Sequence, residues 1–222
     1  MLTVVIFAVA AYLVGSIPFG VIIARMHGKD LRAIGSGNIG ATNVARALGR
    51  KWGYTCFALD VLKGLLPMLA FGAIALPHIA TTVHGPALMA SWLLVGIIAI
   101  LGHIFPIYLC FKGGKGVSTS FGVALGLWPY FTIPALIAFA VWIILVLTFH
   151  YISLASIFAS LTFPIALSVG ILVMPAWTAD TLYPLLIAAI LIPLLVILRH
   201  RENIHRLLAG QESKIRPKHL TT

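Results

Sequence analysis

The chain has 222 residues, of which 61% are apolar and only 9% charged, and its mean hydropathy is +1.08. Soluble domains carry about a quarter charged residues and cannot hide this much apolar surface, so that class is excluded. A formal net charge of +10 would suggest nucleic acid in a soluble protein, but all 15 Lys and Arg fall in three windows, Arg25 to Lys63, Lys112 to Lys115 and Arg199 to Lys218. Cations near span ends collect on the cytoplasmic side of a membrane, so the three windows are expected to share that face, with no nucleic-acid partner.

A spanning helix needs about 20 mostly apolar residues. Runs at 1 to 24, 54 to 76, 86 to 110, 152 to 174 and 182 to 198 approach that length. The first lacks a basic leader and is followed by further spans, so it reads as a transmembrane helix rather than a cleaved signal. The interval Val117 to Thr148 would make a helix of about 48 Å at 1.5 Å per residue, well beyond a hydrocarbon core of about 30 Å. A break is expected at Leu127-Trp128-Pro129, because proline disfavours helix at the residue before it. Topology requires the same break. With the amino terminus outside, a single crossing over 117 to 148 would strand the third basic window on the wrong face, whereas crossings at 117 to 127 and 130 to 148 restore it. The expected fold is therefore one all-α polytopic membrane domain over 1–222, with seven transmembrane helices, the amino terminus outside and the carboxyl terminus cytoplasmic. Cys56 and Cys110 have no Cys-x-x-Cys spacing, which excludes a disulfide or zinc framework.

Between the first two spans lies Gly35-Ser36-Gly37-Asn38-Ile39-Gly40-Ala41-Thr42-Asn43-Val44-Ala45-Arg46. Its glycines free backbone amides to face an anion, and Asn38 is expected to cap a short helix from about Ile39 to Leu48. On that helix Thr42, Arg46 and Arg50 would share a face, with Asn43 three residues before Arg46. Glycine nest, helix amino terminus and arginine make a phosphate site in prospect. The bland alternative is an ordinary polar loop with positive-inside charges.

A second segment runs Gly102-His103-Ile104-Phe105-Pro106 and on to Phe111-Lys112-Gly113-Gly114-Lys115-Gly116-Val117-Ser118-Thr119. Gly rather than Ser or Thr follows Lys115 and Leu stands at 109, so a Walker loop is excluded. Freed amides, two lysines and a helix start still suit a second anion. The third segment, Arg199 to Glu212, places His200 and Asn203 on one helical face with Ile204 and Leu207. It suits either an amphipathic helix on anionic lipid or a polar pair pointing into the bundle. Within the spans, Asp60 and Lys63 are expected to neutralise each other, since a lone central charge costs about 2.5–3.5 kcal/mol. His103 reads as a packed, hydrogen-bonded residue, and Tyr151 and Ser153 as donors at the cytoplasmic face.

Taken together, these segments resemble the bacterial integral-membrane acyl-phosphate:glycerol-3-phosphate acyltransferase family. The resemblance runs through Gly15-Ser16-Ile17-Pro18, Gly35 to Arg46, Asp60 to Gly64, Gly102 to Thr119, Tyr151 to Ser156 and His200 to Glu212. It implies a seven-helix enzyme of the inner membrane that uses acyl phosphate rather than a thioester and makes lysophosphatidic acid without a cofactor. Association with the enzyme that forms the acyl phosphate would follow. By motif, Ser36, Arg46, Lys112, Lys115, Ser153, His200 and Asn203 are implied to form the substrate site. Thioester-dependent acyltransferases of soluble loops carry a His with Asp five positions later, and none of the eight histidines here has one. For the chemistry, Ser36, His200 and Asn203 are the expected catalytic group. Gly37, Asn38, Gly40, Thr42, Asn43, Arg46, Lys112, Gly113, Gly114, Lys115, Gly116, Ser118 and Ser153 are the expected phosphate binders. A transporter of an anionic metabolite is the competing class, but it should show polar residues on both faces, and the connections 77 to 85 and 175 to 181 hold no Lys or Arg.

The split of 117 to 148 is testable by single-cysteine labelling in a background lacking Cys56 and Cys110. Cysteines at Trp128 and Tyr151 should react from opposite faces, and labelling of both from one face would remove the seven-span count.

Overall fold

The computed structural model describes residues 2–215; Arg216 and Lys218 of the third basic window lie outside the described residues. Eleven α-helices are present among them. The first apolar run does not form one unbroken helix as expected. Helix α1 (Leu2–Ser16) stops at the Ile17-Pro18 step and α2 (Phe19–Met26) resumes after it, because the residue before proline is pushed out of the helical region and proline supplies no N–H. After a 3-10 turn at Leu31–Ala33 come α3 (Ala41–Leu48) and α4 (Arg50–Ala70); α4 passes through a π turn (Phe71–Ala75) into α5 (Leu76–Ile79). Helix α6 (Gly85–Ile104) ends in a 3-10 turn at Ile107–Leu109.

Helices α7 (Val117–Gly126) and α8 (Thr132–Phe149) part where Pro129 was expected to separate them, and the Trp128-Pro129 bond is cis. Helices α9 (Ile152–Val173), α10 (Ala179–Leu198) and α11 (Arg201–Leu208) complete the bundle. Six helical stretches among the described residues are long and apolar enough to cross a membrane, the first being Leu2–Met26 taken across its break. Helix α7, with 10 residues, is shorter. The chain is thus an all-helical integral membrane protein.

Lipid tails are as apolar as leucine, so helices in a membrane associate through close backbone approach rather than through hydrophobic expulsion. Helices α4 and α7 illustrate this. A Cβ on Gly64 would lie 2.3 Å from the Thr119 carbonyl oxygen, and one on Gly122 would lie 2.0 Å from that of Val61. This contact shields the intramembrane charges. Asp60 and Lys63 pair at 2.9 Å, with both side chains almost wholly buried, so they do neutralise each other. Lys63 Nζ also donates to the Ile17 carbonyl at the break in the first span (2.9 Å). The Thr119 hydroxyl of α7 donates to the Asp60 carbonyl (3.1 Å). One ion pair thereby pins α4 to α7 and to the kinked first span.

Removing one member of a buried pair leaves a bare charge, whereas removing both can be nearly neutral. Asp60→Leu and Lys63→Met should each destabilise by about 3 kcal/mol in detergent unfolding. The double variant should lose clearly less than the sum, and additivity would show that the pair is not a unit.

Candidate functional site

The first polar segment folds into a cradle held from beneath by Asn43. Its Nδ2 donates to the carbonyls of Leu31 (3.0 Å) and Ile34 (2.9 Å), while its Oδ1 accepts from the Ser36 backbone N–H (3.2 Å). Buried and fully engaged, Asn43 shapes the loop rather than offering an amide to a ligand. Asn38 does not cap α3. Its Oδ1 accepts from the Gly40 N–H (2.9 Å), and Gly40 takes the cap position, so the helix starts at Ala41 rather than Ile39. Nor does the expected face reach Arg50, because α3 ends at Leu48, Gly49 (φ 92°) turns the chain, and Arg50 opens α4. Gly37, at φ 65°, takes a left-handed turn that brings the loop back over the Arg32 carbonyl.

The second segment closes against the end of α6. The Gly113 and Gly114 N–H groups donate to the carbonyls of Ile104 and His103, at 3.1 Å each. A Cβ on Gly114 would lie 2.2 Å from His103 Nε2, so only glycine fits there. The ring of His103 stands between this loop and Asp60, with Nδ1 3.8 Å from Asp60 Oδ1. It is packed as expected but not hydrogen-bonded: Nδ1 has no such partner among the described residues. Gly116 (φ 88°) caps α7. Lys112 is exposed, and its carbonyl accepts from the Arg32 guanidinium, which joins the second loop to the first.

The third segment is not a continuation of α10. The chain turns at Arg199-His200, and α11 starts at Arg201. His200 is buried, and its Nδ1 lies 2.7 Å from the Val196 carbonyl. Its orientation therefore comes from that carbonyl and not from Asn203. A carbonyl only accepts, so Nδ1 carries the proton and Nε2 keeps its lone pair. Burial first, then the Lys115 charge, pushes the His200 imidazole down to about 4, so it is neutral at neutral pH.

Glu212 gathers the remaining groups. Its Oε1 accepts from Ser153 Oγ (2.8 Å) and Asn203 Nδ2 (2.6 Å), and its Oε2 accepts from Arg206 Nε (2.8 Å). Asn203 in turn accepts from Lys115 Nζ through its Oδ1, and Arg199 Nη2 donates to the Gly114 carbonyl (3.2 Å). Burial alone would raise the Glu212 carboxyl, but the bonds from Arg206, Asn203 and Ser153 outweigh it and hold the group below the ordinary carboxylate range. Lys115 is pushed down to about 8, chiefly by burial, against the attraction of Glu212.

Gly35, Ser36, Arg46, Arg206, Glu212 and Ser213 line a cleft of about 190 Å³. Pockets for drug-sized molecules run to about 300–1,000 Å³, so this one suits a compact polar ligand. The cleft thus brings Ser36 and Arg46 together, with Lys115, Asn203 and Ser153 attached through Glu212. Thr42 and Ser118 are half-buried, and neither they nor Lys112 lines it. Sequence reasoning missed Glu212 and Arg206. One signal was available, since Glu212 is one of only five acidic residues in the chain and lies amid cations.

A helical membrane bundle with cation-lined polar loops gathered at one end defines the class. Residues 5–210 match the family model described as glycerol-3-phosphate acyltransferase. A curated glycerol-3-phosphate acyltransferase from Aquifex aeolicus (strain VF5) is 45% identical over 206 residues, which is 92% of this chain and 95% of that one. Crystal structures of PlsY (YgiH), an integral membrane glycerol 3-phosphate acyltransferase, superpose closely. Its glycerol 3-phosphate form gives a TM-score of 0.80 at 40% identity, and its lysophosphatidic acid form 0.78 at 39%, each covering 96% of both chains. The chain belongs to the glycerol-3-phosphate acyltransferase family.

Glu212→Ala would strand Arg206, Asn203 and Ser153, and should cost about 2 kcal/mol of stability. Glu212→Gln, which keeps an acceptor, should recover part of it. A carboxyl held low in the folded state stabilises fully above the ordinary Glu value, and that contribution is lost as pH falls through the folded value. The gap between wild type and Glu212→Gln in thermal unfolding should therefore narrow on acidification.

Proposed function

We propose that the chain transfers a fatty acyl group from acyl phosphate to the 1-hydroxyl of glycerol 3-phosphate. The products are lysophosphatidic acid and phosphate, in the first acylation of bacterial phospholipid synthesis. The observation that carries this reading is the meeting of Ser36, Arg46 and Arg206 around one cleft, with Lys115 tied to it through Asn203 and Glu212. Both substrates bear phosphate, and cationic, amide-rich loops are what such groups need. The glycerol 3-phosphate and lysophosphatidic acid forms of the PlsY structures support the same substrate and product classes.

In this reading one phosphate rests on Ser36, Asn38 and Arg46, and the other on Lys115 and the Gly113 to Gly116 turn; the Gly37, Gly40, Gly113 and Gly114 N–H groups are spent within the chain, so those glycines shape the turns. Arg46 and Lys115 stabilise charge as it shifts to the leaving phosphate. The hydroxyl of glycerol 3-phosphate attacks the acyl carbon, and its proton passes to His200 Nε2 or to an oxygen of the acyl phosphate itself. The donor is already an anhydride, so no cofactor and no covalent acyl-enzyme is required. Asn203 and Glu212 hold Lys115 in place. The site faces the cytoplasm of an inner-membrane protein with seven crossings, the amino terminus outside and the carboxyl terminus cytoplasmic, in a single domain over 1–222. Helix α7 is the short crossing, supported by its packing on α4.

Purified protein given glycerol 3-phosphate should form lysophosphatidic acid with palmitoyl phosphate and not with palmitoyl-CoA or palmitoyl carrier protein. Arg46→Ala and Lys115→Ala should abolish that activity while the thermal midpoint holds. Product from a thioester donor would overturn the donor assignment, and no product from any of the three would overturn the reaction. Full activity of His200→Ala would assign the proton to the donor phosphate.

Lys115 bears its charge below about pH 8 and loses it above, so turnover should decline as pH rises through that value. Lys115→Arg, which stays protonated, should move the alkaline limb upward in a pH profile of kcat/KM.

A further inference from the structure

A second and larger cavity, of about 500 Å³, lies apart from the cleft already described. It is lined by Val21 and Arg25 of α2, by Gly28, Lys29, Asp30, Leu31 and Arg32 after it, and by Leu109 beyond α6. These elements are the ends of two membrane-spanning stretches, Leu2–Met26 and Gly85–Leu109. The lining is apolar at Val21, Leu31 and Leu109, although Leu31 is itself almost wholly buried, and it carries three cations against one carboxylate.

Two of the cations are uncommitted. Asp30 spends its side chain accepting from the Arg32 backbone N–H (2.9 Å), and the Arg32 guanidinium holds the Lys112 carbonyl. Arg25 and Lys29 are exposed and have no side-chain partner among the described residues. Neither stands in the candidate reaction site. Apolar residues and two free cations lining one cavity at the end of a membrane span fit a ligand that is itself half apolar and half anionic.

We infer that this groove is a binding site for an anionic phospholipid of the surrounding membrane, its headgroup phosphate on Arg25 and Lys29 and its first methylenes along Val21 and Leu109. Free cations and apolar side chains lining one cavity separate it from the diffuse attraction of any basic loop for an acidic surface, which needs no cavity. Arg32 gives the site reach, because this lining residue also fastens the Lys112 carbonyl and its own carbonyl lies against Gly37. The inference stands apart from the proposed reaction and survives if the acyl donor is reassigned.

The test is lipid retention by the full-length protein in neutral detergent, measured by native mass spectrometry during titration with phosphatidylglycerol or phosphatidylcholine. Arg25→Gln/Lys29→Gln should weaken phosphatidylglycerol binding by roughly thirtyfold, from about 1 kcal/mol per cation at a membrane surface, and leave phosphatidylcholine unchanged. The charge-preserving Arg25→Lys/Lys29→Arg should restore it, which separates lost charge from lost fold. Equal phosphatidylglycerol retention by wild type and the double variant would overturn the inference. Displacement of the lipid by millimolar inorganic phosphate would reassign the groove to a free anion and overturn it as well. A raised KM for palmitoyl phosphate in the double variant, measured in phosphatidylcholine nanodiscs, would place the groove on the substrate path and have the same consequence.

Discussion

Cationic segments brought to one end of a membrane bundle repel one another, and the Glu212 carboxylate is what lets three of them meet. It takes Ser153 from the start of α9, Asn203 and Arg206 from α11, and through Asn203 the lysine of the second loop. A near-buried carboxylate with three donors is favoured in its charged form, since those bonds outweigh its burial. It supplies negative charge where Arg46, Arg206 and Lys115 would otherwise raise the local potential unopposed. On the proposed reaction the cleft keeps enough positive charge at Arg46 and Arg206 to receive an anion, with Glu212 in its lining to offset their repulsion.

A second constraint runs through the membrane interior. Backbone groups there must be satisfied within the chain, so irregular structure survives only where protein covers it. The break at Ile17-Pro18 meets this condition because Lys63 reaches the freed Ile17 carbonyl. That lysine is tolerated in turn because Asp60 pairs with it under the α4 and α7 contact. The same helix pair places Gly116 and the start of α7 beside the end of α6, where the His103 and Ile104 carbonyls hold the Gly113-Gly114 turn. The loop that offers Lys115 is thus a continuation of the intramembrane scaffold.

What was legible in the sequence follows from how local its causes are. Six of the seven expected spans, the pairing of Asp60 with Lys63 and the break before Pro129 rest on composition, a three-residue spacing and proline sterics, and each appears in the structure. The break at Ile17-Pro18 has the same local cause, yet an unbroken apolar run masked it. Asn43 shows a different failure: its position on the helix suggested a ligand contact, while its partners at Leu31 and Ile34 become visible only once the preceding turn is folded. Glu212 was the least legible of all, since Ser153, which it engages, is 59 positions away. His200 was assigned a side-chain partner where the nearer acceptor was the carbonyl one turn back, at Val196.

The electrostatics of the cleft bear on why an activated donor suits it. Burial and the neighbouring Lys115 hold His200 neutral, so its Nε2 is free to accept a proton, but the same forces make it a weak base. A weak base cannot generate much alkoxide from a glycerol hydroxyl ahead of attack. On the proposed reaction it need not, because the leaving phosphate is a far better departing group than an alkoxide and carries its own basic oxygens. Burial is the larger cause of that weakness, and Lys115, the second cause, is on the proposed reaction also the cation that stabilises charge building on that phosphate. Part of the lost base strength and the gain in leaving-group stabilisation thus share a cause in Lys115, and on the proposed reaction that exchange suits a donor whose acyl group arrives already attached to a good leaving group.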